Sequence, residues 1–147
     1  MNESEISLMA EFILEIESLA GNTSYAGDRP VYESLLSYSA IIISKLIKEK
    51  PIGDDISTME KLLGNSCFME NESCSEAYEA WNRFKGFIVR SIRGMTVNER
   101  LFNLGLIDDF DAAVSKRDKA GMRAVLLKSF LDEKNIEEII ATELNRK

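Results

Sequence analysis

Apolar residues along this chain recur at steps of three and four, and this spacing constrains the fold more than any other feature. Such steps place side chains on one face of an α-helix, whereas a half-buried strand needs strict alternation. The first segment follows the helical step with Ile6, Met9, Phe12, Ile13, Ile16, Leu19 and Ala20. Every strong periodic signal is of this kind, so the sequence predicts an all-α fold.

Start and stop signals divide the first half of the chain. Ser4 can cap the first helix and Gly21 follows it. Asp28 is a candidate cap for the second, Pro30 suits its first turn, and Pro51 ends it. A short helix follows at about 55–63, then a loop at 64–75 and a fourth helix at about 76–92.

The last third of the chain has the clearest local signals. Thr96 and Glu99 form T-x-x-E, the pattern of a capping box. Leu101, Phe102 and Leu104 are expected to face inward, and Gly105 to end that turn. Further caps are expected at Asp118 and Asp132. A chain of 147 residues is long enough to bury one hydrophobic core. We therefore predict a compact single-domain bundle of about seven or eight helices over residues 1–147.

The second and fourth helices are the most apolar. The second carries AIII at 40–43, which as β-branched residues could also form a strand. Its flanks favour a helix, and its apolar residues cover more than one face, so we predict the central, most enclosed helix there. The fourth carries an aromatic stripe, interpreted as core rather than as a ligand-binding wall. Gly86 interrupts that stripe and suggests a close helix contact or a bend.

Several catalytic chemistries are excluded because the chain has no histidine. A Ser-His-Asp or Cys-His pair cannot form, and the usual zinc ligand is missing. The acids of DDFD (Asp108, Asp109 and Asp111) do not fit the oxygen spacing of an EF-hand loop. All three acids are expected in the first turn of a helix or just before it, where negative charge stabilises the helix N-terminus. We therefore expect no metal, no cofactor and no enzymatic activity.

Compartment signals are few. The N-terminus is acidic, unlike a secretory signal, and the apolar run at 40–43 is too short to cross a bilayer. A cytoplasmic protein that does not span a membrane is expected.

Cys67 and Cys74 match neither a redox nor a zinc spacing. They are interpreted as two reduced thiols, with a local disulfide as the alternative.

Charge is the strongest compositional feature, with 25 acidic and 18 basic residues and a net charge of −7. Such a chain repels phosphate backbones, so a basic protein is a better partner than nucleic acid. Residues 54–79 hold seven acids and one base, a balance that suits docking onto a basic surface. A solvated face is the alternative. The predicted partner-binding residues are Asp54, Asp55, Glu60, Glu70, Glu72, Glu76 and Glu79.

Residues 95–128 read MTVNERLFNLGLIDDFDAAVSKRDKAGMRAVLLK. This segment resembles small bacterial proteins encoded beside secreted toxins, through T-x-NERL, GL, F-D-x-A and a later Asp. In size, acidity and helix content the whole chain is similar to the immunity proteins of contact-dependent inhibition systems. That resemblance implies a protein that binds and neutralises a cognate toxin domain, with a nuclease as the expected kind. It assigns no binding residues.

Two functions are therefore expected. The first is a stoichiometric immunity protein that blocks a basic toxin through its acidic surface. The alternative is a helical regulatory or adaptor module with no toxin partner, which could be a homodimer. The oligomeric state is left open by the sequence.

Overall fold

The computed structural model describes residues 4–22, 29–65 and 72–146. These residues form eight α-helices and one short 3₁₀ helix, Glu72–Cys74, and no strand. The α-helices are α1 (Glu5–Asn22), α2 (Arg29–Ile47), α3 (Gly53–Asn65), α4 (Ser75–Ile92), α5 (Val97–Asn103), α6 (Ile107–Ser115), α7 (Lys119–Lys128) and α8 (Glu133–Asn145). The predicted all-α fold of seven or eight helices is confirmed.

The chain divides into two compact units, residues 1–93 and residues 94–147. The boundary falls in the turn between α4 and α5. The prediction of one domain over residues 1–147 concerns how the two units combine, and it stays a prediction. No helix among the described residues is long and apolar enough to cross a membrane.

The core of the first unit is built around α1. This helix packs against both α2 and α4, and α2 packs against α3. Phe12 of α1 and Trp81 and Phe84 of α4 are fully buried. Trp81 lies with its ring centroid 5.5 Å from each of the other two rings. Trp81 and Phe84 of the predicted aromatic stripe therefore belong to the core, whereas Tyr78 and Phe87 are half-buried.

The prediction that the second helix is the central one is wrong. The segment at 40–43 is helical, as expected, but Ile41 is 43% exposed and Ile47 is 65% exposed. Only Tyr32, Leu35, Ser39 and Ile42 of α2 are buried. A run of isoleucines covers several helix faces at once, so it cannot show which face a neighbour covers. The central position belongs to α1.

Gly86 does not mark a close contact with another helix. A Cβ built at this position would meet one neighbouring atom, Nη1 of Arg90 in the same helix, at 3.3 Å. The end of a flexible arginine side chain moves easily, so the site has room for a methyl group.

We therefore expect Gly86→Ala to raise the free energy of unfolding. Alanine is favoured over glycine inside a helix by about 1 kcal/mol, and no packed neighbour opposes it here. Urea denaturation of both proteins measures the change. Gly21→Ala is the comparison in the last turn of α1, where a smaller gain is expected because helix propensity matters less at a helix end than in its interior. A loss of stability in Gly86→Ala would contradict the space seen around Gly86.

The second unit stacks its helices in chain order, with α5 on α6, α6 on α7 and α7 on α8. The capping box is present: Glu99 N donates to Thr96 Oγ1 at 3.3 Å, and Thr96 N donates to Glu99 Oε2 at 2.8 Å. Asp118 and Asp132 cap α7 and α8 through their side chains. Phe102 was expected to face inward and instead is 70% exposed.

Candidate functional site

Three of the predicted acids form an exposed surface, here called the acidic face: Glu72, Glu76 and Glu79. Glu72 lies in the 3₁₀ helix that leads directly into α4, and Glu76 and Glu79 lie one turn apart on α4. All three are exposed, and none forms an ion pair with another residue in the described ranges. Their carboxylates are therefore available to an incoming basic surface.

The position of the acidic face follows from the core beneath it. Ala77, Ala80 and Trp81 are buried on the other side of α4. Because a helix repeats every 3.6 residues, burial of this stripe turns Glu76 and Glu79 outward. The face is thus carried by a helix that is anchored in the core of the first unit.

Two predicted acids are engaged inside the protein. Asp55 Oδ2 lies 2.7 Å from Lys45 Nζ, an ion pair that joins α3 to α2. Glu60 Oε1 accepts a hydrogen bond from buried Trp81 Nε1 at 2.6 Å and lies 3.0 Å from Lys85 Nζ. Since each carboxylate already faces a cation, its charge contributes less to the outer surface.

The remaining two predicted acids differ in status. Asp54 is exposed in the first turn of α3, where negative charge stabilises the helix N-terminus. Glu70 lies outside the described residues. The role of these seven residues in binding stays a prediction, and the acidic face is its best-placed part.

The charge of the chain is uneven between the two units. Residues 1–93 hold 15 acidic and 9 basic residues, a net charge of −6. Residues 94–147 hold 10 acidic and 9 basic residues, a net charge of −1. Almost all of the excess negative charge therefore belongs to the unit that carries the acidic face.

The DDFD acids and the cysteines are the sequence features that could have carried metal or thiol chemistry. Asp108 and Asp109 lie in the first turn of α6, as predicted, but the prediction for Asp111 is wrong, because this residue lies one turn further along the helix. Across the described ranges no cluster of three or more acids or cysteines is placed to hold a metal ion. Cys74 is a buried thiol 3.7 Å from Tyr32 Oη, and Cys67 lies outside the described residues.

A groove in the second unit was not anticipated from the sequence. It has a volume of about 880 Å³ and is lined by residues of α5, α6 and α8 and the turns beside them. Its apolar lining includes Val97, Phe110, Val114, Leu131 and Ile139. The sequence signal is weak: Val114 and Ile139 lie beside the buried apolar residues of α6 and α8 and are themselves only partly buried.

Polar groups surround this apolar lining. Asp111 of α6 and Glu138 of α8 are exposed and form no ion pair with another described residue. Glu143 pairs with Arg146 at 3.3 Å. Arg100 Nη1 donates to the carbonyls of Ser129 and Phe130 at the end of α7. The two arginines are thus held by groups of the protein, while two carboxylates stay open.

Comparison with protein-family models, with curated proteins and with solved structures found no match to this chain.

Proposed function

We propose that this chain is a cytoplasmic immunity protein that neutralises a basic bacterial toxin domain, a nuclease, by binding to it. The observation that supports this most directly is the acidic face: three exposed carboxylates with no ion pair to another described residue, one just before α4 and two on it, in a unit with a net charge of −6. Binding of this kind requires no reaction in the inhibitor itself.

The mechanism rests on electrostatic complementarity. A nuclease holds a phosphate backbone, so its substrate cleft is positively charged. Carboxylates at Glu72, Glu76 and Glu79 would occupy the places of phosphates and keep the nucleic acid out. Complementary charge also raises the rate at which the two proteins meet. A fast encounter matters because the inhibitor has to bind the toxin before the toxin cuts the nucleic acid of the cell.

The internal ion pairs refine which acids would make contact. Asp55 and Glu60 are held by Lys45 and Lys85, and breaking these pairs would cost part of the binding free energy. The contact is therefore centred on the acidic face, and Glu60 acts by linking α3 to α4, the helix that carries Glu76 and Glu79.

The test begins with the gene immediately upstream, where the proposal expects a nuclease toxin. The toxin domain is purified, its cleavage of DNA and RNA is measured, and this chain is added in increasing amounts. We expect inhibition to be complete at an equimolar ratio, and co-expression to protect cells from the toxin. Cleavage that continues in the presence of excess folded chain would overturn the proposal.

A helical adaptor without a toxin partner is the second candidate. Two isoleucines of α2, Ile41 and Ile47, are exposed, and a partner bound to this helix would remove them from water. Sedimentation equilibrium separates the two ideas. A stable homodimer that inhibits no toxin supports the adaptor, and a monomer that inhibits the toxin at an equimolar ratio supports immunity.

A further inference from the structure

We propose that the groove of the second unit is a docking site for a helical segment of a partner protein, a segment with one apolar stripe flanked by lysine or arginine. This inference goes beyond the proposed function, because the groove lies in residues 94–147 and contains none of the acidic face. It is argued from the shape, the lining and the charge of the groove.

The shape is that of an incomplete helix bundle. One wall is a continuous face of α8, with lining residues at Asn135, Glu138, Ile139, Thr142 and Glu143. The steps of three and one are those of a single helix face, and they extend over about 12 Å at a rise of 1.5 Å per residue. A wall of this length matches two turns of a second helix laid along it.

The lining supplies the apolar contact that such a helix needs. Val114 and Ile139 are partly exposed in the groove, and Phe110 lies beneath them, 7% exposed. The volume of about 880 Å³ is within the range of binding clefts and can receive several side chains. An amphipathic helix in an apolar groove is a recurrent mode of peptide recognition.

Charge selects the kind of helix. Asp111 on α6 and Glu138 on α8 belong to two different elements that line the groove, and neither has an ion-pair partner among the described residues. Glu143 pairs with Arg146, and Arg100 donates to the two carbonyls that follow α7, so the lining holds three acids and two arginines and has a net charge of −1. A segment with lysine or arginine beside its apolar stripe would therefore be preferred over an acidic one.

The experiment uses the full chain and a probe peptide of about 14 residues, the length at which an isolated helix is marginally stable. The probe has leucine at every third or fourth position and lysine on both sides of that stripe, and it carries a fluorophore for anisotropy. Two control peptides have glutamate in place of each lysine, or the same composition in scrambled order. We expect saturable binding of the probe and at least tenfold weaker binding of both controls.

Two variants locate the binding. Asp111→Asn with Glu138→Gln removes the two open charges, and we expect a loss of about three- to tenfold in affinity. The matched control, Asp108→Asn with Asp109→Asn, removes two charges from the same unit outside the groove lining and should leave binding unchanged.

Ile139→Ala removes a partly exposed lining group and should weaken binding about tenfold. Leu127→Ala, at a residue 49% exposed outside the lining, is its control.

Every outcome decides the proposal. Loss of binding in the groove variants, with both controls intact and all melting curves cooperative, supports it. Equal binding of the lysine and glutamate peptides, or equal losses in groove and control variants, overturns it. A chain that is dimeric and becomes monomeric on Ile139→Ala also overturns it, since a second copy would then fill the groove. None of these readouts involves the toxin, so failure here is distinguishable from failure of the proposed function.

Discussion

Replacing Glu76 and Glu79 by glutamine is expected to slow association with the basic toxin domain that we propose as the partner about tenfold at low salt. Long-range attraction between opposite charges raises association rates by about ten- to a thousandfold, and these two residues supply much of the acidic face. Glutamine keeps the side-chain length and a similar helix propensity, so α4 should stay folded. Stopped-flow mixing at several ionic strengths measures the rates.

The salt dependence sharpens this prediction. For the unaltered chain the association rate should fall steeply as salt rises, because the Debye length shortens to about 10 Å at 0.1 M. For the variant the fall should be shallower, and the two rates should converge at high salt.

Asp108→Asn with Asp109→Asn is the matched control, since it changes the net charge equally but in the second unit. If this control slows association as much as the α4 variant does, net charge rather than the acidic face governs the encounter. If neither variant changes the rate, the electrostatic mechanism is wrong.

Glu60→Ala is expected to lower the free energy of unfolding by about 1–3 kcal/mol. Trp81 is fully buried, and its Nε1–H donates to Glu60 Oε1 at 2.6 Å. Removing the acceptor leaves a buried donor with a desolvation penalty of that size. Glu60 therefore stabilises the packing of α3 against α4 as well as carrying charge. Guanidinium denaturation gives the loss.

Two further variants separate the hydrogen bond from the ion pair. Glu60→Gln keeps an acceptor for Trp81 and loses the charge opposite Lys85, so we expect a loss below about 1 kcal/mol for this partly exposed pair. Lys85→Gln should cost a similar amount. Trp81 is the one tryptophan of the chain, so its fluorescence reports directly on this contact. Equal losses in Glu60→Ala and Glu60→Gln would show that the ion pair dominates.

The features that the sequence predicts well are those determined by residues close together in the chain. The capping box needs only Thr96 and Glu99, and the caps at Asp118 and Asp132 each need one residue and the next turn. The helical step of α4 likewise identifies its buried stripe. These signals are local, so no knowledge of tertiary packing is required to read them.

The features that were missed depend on residues far apart in the chain. The exposure of Ile41, Ile47 and Phe102 is decided by which helix lies beside each face, and periodicity does not contain that information. The ion pairs of Asp55 and Glu60 were missed for the same reason. Nothing near Glu60 in the sequence indicates that Trp81 and Lys85, more than twenty positions later, lie against its carboxylate.

The groove is the clearest case of this limit. Its walls come from α6 and α8, with the start of α5 beside them, and no single segment contains its pattern. Asp111 and Glu138 appear in the sequence as ordinary surface acids. They become a candidate site only because folding places them around the same apolar lining.

The pairing of α1 with α4 has a consequence for how the chain is made. On the ribosome, the apolar stripe around Phe12 emerges ~70 residues before Trp81, the ring that covers it. During that interval the apolar stripe of α1 is not yet covered by α4, and a chaperone could bind to it. The second unit, whose helices each meet the next one in the chain, can collapse as soon as it leaves the exit tunnel. We therefore expect the first unit to complete its core only after α4 has been made, whereas the second unit forms its contacts between neighbouring helices.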